Sequence, residues 1–394
     1  MTVSGAEGPP QPTLLVVAGE ASGDLHAARL VGCLRRHCPG LAAFGMGGDE
    51  LAAAGVELVA HSGEVAVVGI TEVLKVLPRV RQVFRLLLDE ARRRRPTAAV
   101  LVDFPDFNLR LARGLARLGV PVVYYVSPQV WAWRSRRVRT IARTVDRMLV
   151  LFPFELDFYR ARGVDAVHVG HPLVDEVPQL PQVWDRGPEP AGAYRVALLP
   201  GSRRSEVEAL LPDMLAAVGR MRREAAIEAR VVRAHTVPRA LIERLVAASG
   251  ERVEVVERER FAAVADSHLA LCASGTATLE VGLLGTPMVV LYRVQPWTYR
   301  LARLLVKLPA FSLVNLVLGE RVVPELLQEE VEPERVAAEA LALLRDRQRR
   351  ERLRAGLAGL RQRLGEGGAS ERAAREVAAV LGCAPLELAA EVGA

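Results

Sequence analysis

Leu14-Leu15-Val16-Val17, running into Gly19-Glu20-Ala21-Ser22-Gly23-Asp24, is the stretch on which the fold turns. Four consecutive apolar residues empty into a turn of small residues, and a helical pattern follows. A run that is apolar on both faces reads as a parallel strand covered by helices on either side. A strand that passes through such a turn into a helix gathers backbone N–H groups at the helix N-terminus, a ready site for phosphate. The arrangement recurs in the second half, where Leu269-Ala270-Leu271-Cys272 enters Ala273-Ser274-Gly275-Thr276-Ala277-Thr278-Leu279-Glu280. Two such units predict two doubly wound α/β domains facing a shared cleft.

Working outward, β-type runs alternate with amphipathic stretches along the whole chain. The first half has strand candidates at Leu14–Val17, Val56–Ala60, Ala98–Val102, Val120–Val126, Met148–Leu151 and Val167–Val169. Ile70, Val73, Leu74, Leu77, Val80, Val83, Phe84, Leu87 and Leu88 recur at helical spacing, and the cations Arg92–Arg95 suit the end of that helix. From Pro172 to Tyr194 the chain is rich in Pro, Gly and charge. The β/α rhythm restarts at Val196–Leu199, Ala229–Ala234, Val253–Val256, Leu269–Cys272 and Met288–Tyr292. The expected organisation is a disordered tail over 1–12, a first Rossmann-like domain over 13–175, a linker over 176–194, a second over 195–345, and a helical segment over 346–394.

A chain of 394 residues, 51% of them hydrophobic, fits two domains of ordinary size. The first twelve residues have no apolar core and do not read as a signal peptide. No apolar run approaches the ~18 residues needed to span a bilayer. The net charge of +6 suits a phosphorylated substrate or an anionic lipid, or reflects the arginine usage of a GC-rich genome. Nucleic acid is not an expected partner, because Arg92–Arg95 reads as a solvated helix end. Cys33, Cys38, Cys272 and Cys383 show no CxxC spacing and read as reduced thiols of a cytosolic protein. Cys33, His37 and Cys38 share one predicted helix, where packing is a better account than metal binding.

Seven segments in order resemble one family. They are Gly19–Asp24, Asp103-Phe104-Pro105-Asp106-Phe107-Asn108, Tyr125-Val126-Ser127-Pro128-Gln129-Val130-Trp131-Ala132-Trp133, Gly170-His171-Pro172, Leu199-Pro200-Gly201-Ser202-Arg203, Ala273-Ser274-Gly275-Thr276, and Glu325-Leu326-Leu327-Gln328-Glu329. The set closely resembles the lipid-A-disaccharide synthases, inverting glycosyltransferases of bacterial outer-membrane lipid biosynthesis, over about residues 14 to 345. The resemblance implies the glycosyltransferase B fold, with two Rossmann-like domains and the active site between them. It implies transfer of 2,3-diacylglucosamine from UDP-2,3-diacylglucosamine to 2,3-diacylglucosamine 1-phosphate. The products would be the β-1,6-linked disaccharide 1-phosphate and UDP. No metal and no cofactor is implied, in keeping with the absence of an Asp-x-Asp sequence. Other UDP-N-acetylglucosamine transferases or epimerases, and a non-catalytic nucleotide-sugar binding protein, are the rival readings.

The residues also speak for themselves. Inverting transfer needs a base for the attacking hydroxyl and positive charge near the departing diphosphate. Asp103 follows an apolar strand at its carboxyl end, where α/β active sites lie, and is the favoured base. Asp106 is the alternative, as are plain capping roles for either; Pro105 and a cap signal at Asn108 turn the chain into a helix. Arg203 can grip a phosphate in a bidentate manner, although Arg204 is adjacent and Glu206 is a rival partner. Ser202 offers a hydroxyl and an N–H. Ser274, Gly275 and Thr276 are expected to cradle the diphosphate, and Glu280 to accept from the ribose hydroxyls unless it is an ordinary helix charge. Glu325, Gln328 and Glu329 are expected near donor sugar or acceptor, Glu20 and Ser22 on the acceptor side, and Asn315 at the substrate.

Trp297, Leu301, Leu304, Leu305 and Leu308 fall on one helical face and Arg300, Arg303 and Lys307 on another. That is the pattern of an interfacial helix, and equally of a buried helix with a basic edge. Val65–Ile70, near Lys75 and Arg79, is the second such candidate. Trp131 and Trp133 line a sugar or acyl surface or pack the core. The expected location is the cytoplasm, peripherally on the cytoplasmic face of the inner membrane. A homodimer is left open.

Overall fold

The computed structural model describes residues 11–65, 70–128, 130–131, 137–186, 192–294 and 310–383, with backbone alone at 70–76. The tail over 1–10, most of Val65–Ile70, Gln129, residues 132–136 with Trp133, the helix candidate Trp297–Leu308 and residues 384–394 lie outside them.

The chain forms two compact units. The first comprises the residues up to Pro172 together with those from Gly367 onward; Leu173–Glu366 form the second. In the first, a seven-stranded parallel sheet has the order β3-β2-β1-β4-β5-β6-β7. Its strands are β1 (Thr13–Ala18), β2 (Ala42–Gly47), β3 (Glu57–His61), β4 (Ala98–Val102), β5 (Val122–Tyr125), β6 (Arg147–Val150) and β7 (Ala166–His168). The intervening helices are α1 (Ala21–His37), α2 (Asp49–Ala53), α3 (Ile70–Arg94), α4 (Pro105–Arg117), α5 (Val138–Thr144) and α6 (Pro153–Arg160). β1 and β4 lie at the centre, and Leu14–Val17 and Ala98–Val102 are fully buried, as a strand covered on both faces must be.

β2 is absent from the strands expected on sequence. Its residues, Ala42-Ala43-Phe44-Gly45-Met46-Gly47, are too small and glycine-rich to register as an apolar run. Close packing requires this: a Cβ on Gly45 would lie 1.8 Å from the Val16 carbonyl oxygen, so any other residue would force β1 and β2 apart.

The second unit repeats the doubly wound order with a six-stranded parallel sheet, β10-β9-β8-β11-β12-β13. It is built from α7 (Leu173–Glu176), β8 (Tyr194–Leu199), α8 (Arg204–Met221), β9 (Ile227–Val232), α9 (Arg239–Ser249), β10 (Val253–Val256), α10 (Arg260–Ala265) and β11 (Leu269–Ala273). α11 (Thr276–Leu283), β12 (Met288–Tyr292), α12 (Leu313–Leu318), β13 (Glu325–Leu327), α13 (Pro333–Arg345), α14 (Arg347–Ala358) and α15 (Leu360–Leu364) follow. The stretch read as a linker contributes to this core: Trp184 is buried, its indole N–H donates to the His268 carbonyl at 3.0 Å, and the Arg350 guanidinium lies 3.7 Å over its ring.

The helical segment expected over 346–394 is divided. α14 and α15 stay with the second unit, whereas α16 (Ala369–Leu381) returns to the first and packs along α1. Glu371 on α16 meets Arg36 and His37 at 2.5 Å each. Cys38 and Cys383, expected as free thiols, are joined in a disulfide with Cα atoms 5.7 Å apart across 345 residues of sequence. Only the docking of α16 brings them together, so their spacing carries no trace of the pairing. Cys33 and Cys272 are free thiols, and burial raises the pKa of each.

Candidate active site

In the first unit the residues expected at the site follow the carboxyl ends of β1 and β4, with β5 alongside. Asp103 and Phe104, directly after β4, are both left-handed, each at φ 46°. Two consecutive non-glycine residues there store strain of roughly 1–3 kcal/mol apiece, and they persist only if the surroundings hold them. Several hydrogen bonds do so. The Asp103 N–H donates to the Tyr125 carbonyl at 3.1 Å. The Asp103 carbonyl accepts from the Tyr124 hydroxyl at 2.5 Å and from Asn108 Nδ2 at 2.9 Å. Asn108 Nδ2 also reaches the Val102 carbonyl at 3.1 Å. Asn108 is therefore not the cap of α4. It sits fully buried inside the helix, which starts at Pro105, and grips the backbone that precedes it.

The main chain of Asp103 is thus gripped while its carboxylate stands on a partly exposed turn. Asp106, the alternative base, is an exposed first-turn residue of α4 paired with Arg137. Glu20 is the N-cap residue of α1, and both it and Ser22 are exposed beside this turn's neighbour strand. Asp24, the last residue of the same motif, has a different task. It is 4% exposed, and its carboxylate accepts from the backbone N–H groups of Gly48 at 2.7 Å, Glu50 at 3.0 Å and Leu51 at 3.4 Å. Asp24 thereby shapes the turn after β2. Gly47 and Gly48 leave room for its side chain: a Cβ on either would lie 2.8 or 2.7 Å from an Asp24 carboxylate oxygen.

In the second unit, β8 ends in the Gly201–Arg203 turn that opens α8. Glu206 organises it, accepting from the N–H groups of Ser202 at 3.0 Å and Arg203 at 3.2 Å and from the Arg203 guanidinium at 2.8 Å. Arg203 is the N-cap residue, its side chain 73% exposed. A surface pair of this kind holds by no more than ~1 kcal/mol, so the guanidinium is easily recruited by a stronger anion. Ser274 follows β11, and its hydroxyl donates to the Phe311 carbonyl at 3.0 Å. Gly275 and Thr276 begin α11, whose first N–H groups lie at the carboxyl edge of the sheet. Glu280 is largely buried and accepts from Arg260 at 3.0 Å. Burial raises its pKa, and Arg260 opposes the rise.

Glu325, Asn315 and Gln328, all expected near the substrate, each hold protein partners. Glu325 accepts from the N–H groups of Phe311 and Ser312, the Ser312 hydroxyl at 2.6 Å and Asn315 Nδ2 at 2.9 Å. Asn315, expected at the substrate, is 1% exposed, and its amide is spent on Glu325 and both polar atoms of the Val323 backbone. Gln328 is 7% exposed at φ 51°, and its amide pairs with the N–H and carbonyl of Val294 at 3.1 and 2.9 Å. Glu329 is exposed. Nothing in the local sequence could show that Asn315 and Gln328 are buried, because their partners lie on other segments.

Two parallel sheets of doubly wound order, each with its polar residues at the carboxyl edge, define a protein of the glycosyltransferase B type. Solved structures of that type match nearly the whole chain. The S. aureus MnaA–UDP co-structure has a TM-score of 0.64 at 13% identity, covering 95% of this chain and 98% of that one. Acinetobacter baumannii MurG has 0.57 at 13%, covering 95% and 99%. At such identity the likeness shows the fold alone. The sequence profile of the lipid-A-disaccharide synthetase family matches residues 14–379. The lipid-A-disaccharide synthase of Myxococcus xanthus is 50% identical over 382 residues, covering 94% of this chain and 98% of its own. That of Anaeromyxobacter dehalogenans strain 2CP-1 is 48% identical over 372 residues, covering 93% and 97%. The chain belongs to the lipid-A-disaccharide synthase family, and it is a glycosyltransferase.

Proposed function

We propose that this chain transfers 2,3-diacylglucosamine from UDP-2,3-diacylglucosamine to 2,3-diacylglucosamine 1-phosphate, with inversion, releasing UDP and forming a β-1,6-linked disaccharide 1-phosphate. The observation that carries the reading is the Asp103 turn. A carboxylate on a strained, firmly held backbone at the end of a central strand suits a base whose position must not drift. In the proposed step the acceptor hydroxyl attacks the anomeric carbon as its proton passes to Asp103. The bond to the diphosphate breaks, and its electron pair leaves with UDP.

On the donor side, Arg203 exchanges Glu206 for the diphosphate. Ser202, Ser274 and the N–H groups at Gly275 and Thr276 share the remaining charge. Glu280, fixed by Arg260, accepts from the ribose hydroxyls. Glu325, Asn315 and Gln328 support this face from below, and Glu20 and Ser22 serve the acceptor. A protein with lipid substrates works at a membrane surface. Among the described residues no helix is long and apolar enough to cross one, so the contact proposed is peripheral, on the inner membrane. The test is incubation of the purified protein with both acylated precursors and mass analysis for the disaccharide 1-phosphate and UDP. UDP release without disaccharide, or turnover of UDP-N-acetylglucosamine instead, would favour an epimerase or another transferase.

A further inference from the structure

β5, next to β4, also leaves the sheet through a strained residue. Val126 is left-handed at φ 63°, a conformation that is a genuine outlier for a β-branched side chain. It sends the chain into a loop whose described residues include Ser127, Pro128, Val130 and Trp131. That loop starts next to Asp103, whose N–H is bonded to Tyr125, the last residue of β5. A buried carboxyl stands beneath this loop. Glu155, in the first turn of α6, is 2% exposed. Its Oε1 accepts from the Trp131 indole N–H at 3.0 Å and its Oε2 from the Phe152 N–H at 3.2 Å. The Trp131 ring packs edge-on against Phe154 with centroids 4.9 Å apart. Ser127 Oγ and the Tyr159 hydroxyl lie 2.9 Å apart, and Tyr159 also reaches the Pro128 carbonyl at 3.3 Å.

A helix cap alone does not call for this arrangement. A capping glutamate needs only its bond to the Phe152 N–H, and a buried carboxyl costs free energy unless it is hydrogen-bonded; here the second oxygen is given to the Trp131 indole. We propose that Glu155 is a positioning residue that fixes the Trp131 indole, and through it the loop after β5, so that the acceptor meets Asp103 in one orientation. What the loop positions rests on the glycosyl-transfer reading above; the Glu155–Trp131 link does not.

The link has its own signature. Burial, partly offset by hydrogen bonds from Phe152 and Trp131, pushes Glu155 up to about 7. The groups facing it are Trp131, Ser127, the backbone of Leu151 and Phe152, and Tyr159. Of these only Tyr159 titrates, and burial raises it far above that range.

The experiment uses the full chain. Tryptophan emission followed from about pH 5 to about pH 9 is expected to show a transition near 7, lost in both Glu155→Gln and Trp131→Phe. In steady-state assays each variant is expected to lose ~10 to 10²-fold in kcat/KM for the acceptor with the donor KM unmoved. The double variant is expected to lose no more than either single one. A transition that persists in Glu155→Gln, additive losses in the double variant, or an unchanged acceptor kcat/KM in Trp131→Phe would overturn the proposal. Should Glu155→Gln fail to fold, Trp131→Phe carries both readouts alone. If the wild type does not transfer the acylated sugar, the proposed function falls while the emission transition still decides the Glu155–Trp131 link.

Discussion

Gly19 and Phe104 touch so closely that a Cβ on Gly19 would lie 2.4 Å from the Phe104 ring. The first glycine of the opening motif is therefore a contact with the turn that carries Asp103. The ring is partly buried and packs on Phe107, with centroids 5.4 Å apart, so it cannot simply swing away.

Gly19→Ala is accordingly expected to act at a distance in sequence. Pushing Phe104 aside shifts the left-handed pair, at a cost of ~1–3 kcal/mol in stability. Turnover should fall by ~10-fold or more, because displacement by about 1 Å is enough to spoil an aligned base. Denaturant midpoints and initial rates on the same preparation check this. A fully active Gly19→Ala protein would show that the contact is mere packing.

Asp103→Asn is expected to keep fold and UDP affinity and lose at least ~10²-fold in kcat, the usual scale of a positioned base. Asp106→Asn removes only a surface pair with Arg137 and should stay within a few-fold of wild type. The opposite pattern would transfer the role to Asp106.

Arg203→Ala should cut kcat by ~10² to 10³-fold, since it removes charge aimed at the leaving diphosphate. Arg203→Lys should recover only part, an ammonium lacking the planar fork. A chelator is expected to leave the wild-type rate unchanged. Inhibition by EDTA that magnesium reverses would sink this view of the leaving-group site.

His171 is expected to set an acid limit on stability. It is 5% exposed; burial first, then the charges of His26 and His168, hold its pKa down at about 3. The folded protein keeps the imidazole neutral, and the unfolded chain takes up a proton near pH 6.5. Its contribution is therefore complete above about pH 6.5 and is lost as pH falls toward about 3, by up to ~5 kcal/mol. Urea midpoints of His171→Asn should vary less across that window than those of the wild type. Parallel curves would remove His171 from the account.

The proposed membrane contact is expected to be electrostatic in part. Replacing Arg300, Arg303 and Lys307 by Gln should weaken co-sedimentation with anionic vesicles at low salt, each cation being worth ~1 kcal/mol, and leave UDP affinity unchanged. Salt-insensitive, undiminished sedimentation of the triple variant would shift the role to Val65–Ile70.

Two parallel sheets, and Asp103 at the end of a central strand, are legible in the chain alone. A strand buried on both faces must be written as an unbroken apolar run, as Leu14–Val17 and Ala98–Val102 are, and a doubly wound sheet puts its polar turns at the strand ends. The motifs of the family, being contiguous, were legible in the same way. What those polar residues touch follows from long-range contacts. The partners of Asn315 and Glu325, which are Val323, Phe311 and Ser312, could not be read from the chain. Asp24 read as part of a phosphate turn until it met Gly48. Cys38 found Cys383 only because α16 folds back onto α1. Periodicity records which face of an element is buried, but the partner across that face comes from a segment tens or hundreds of residues away, and no local pattern encodes it.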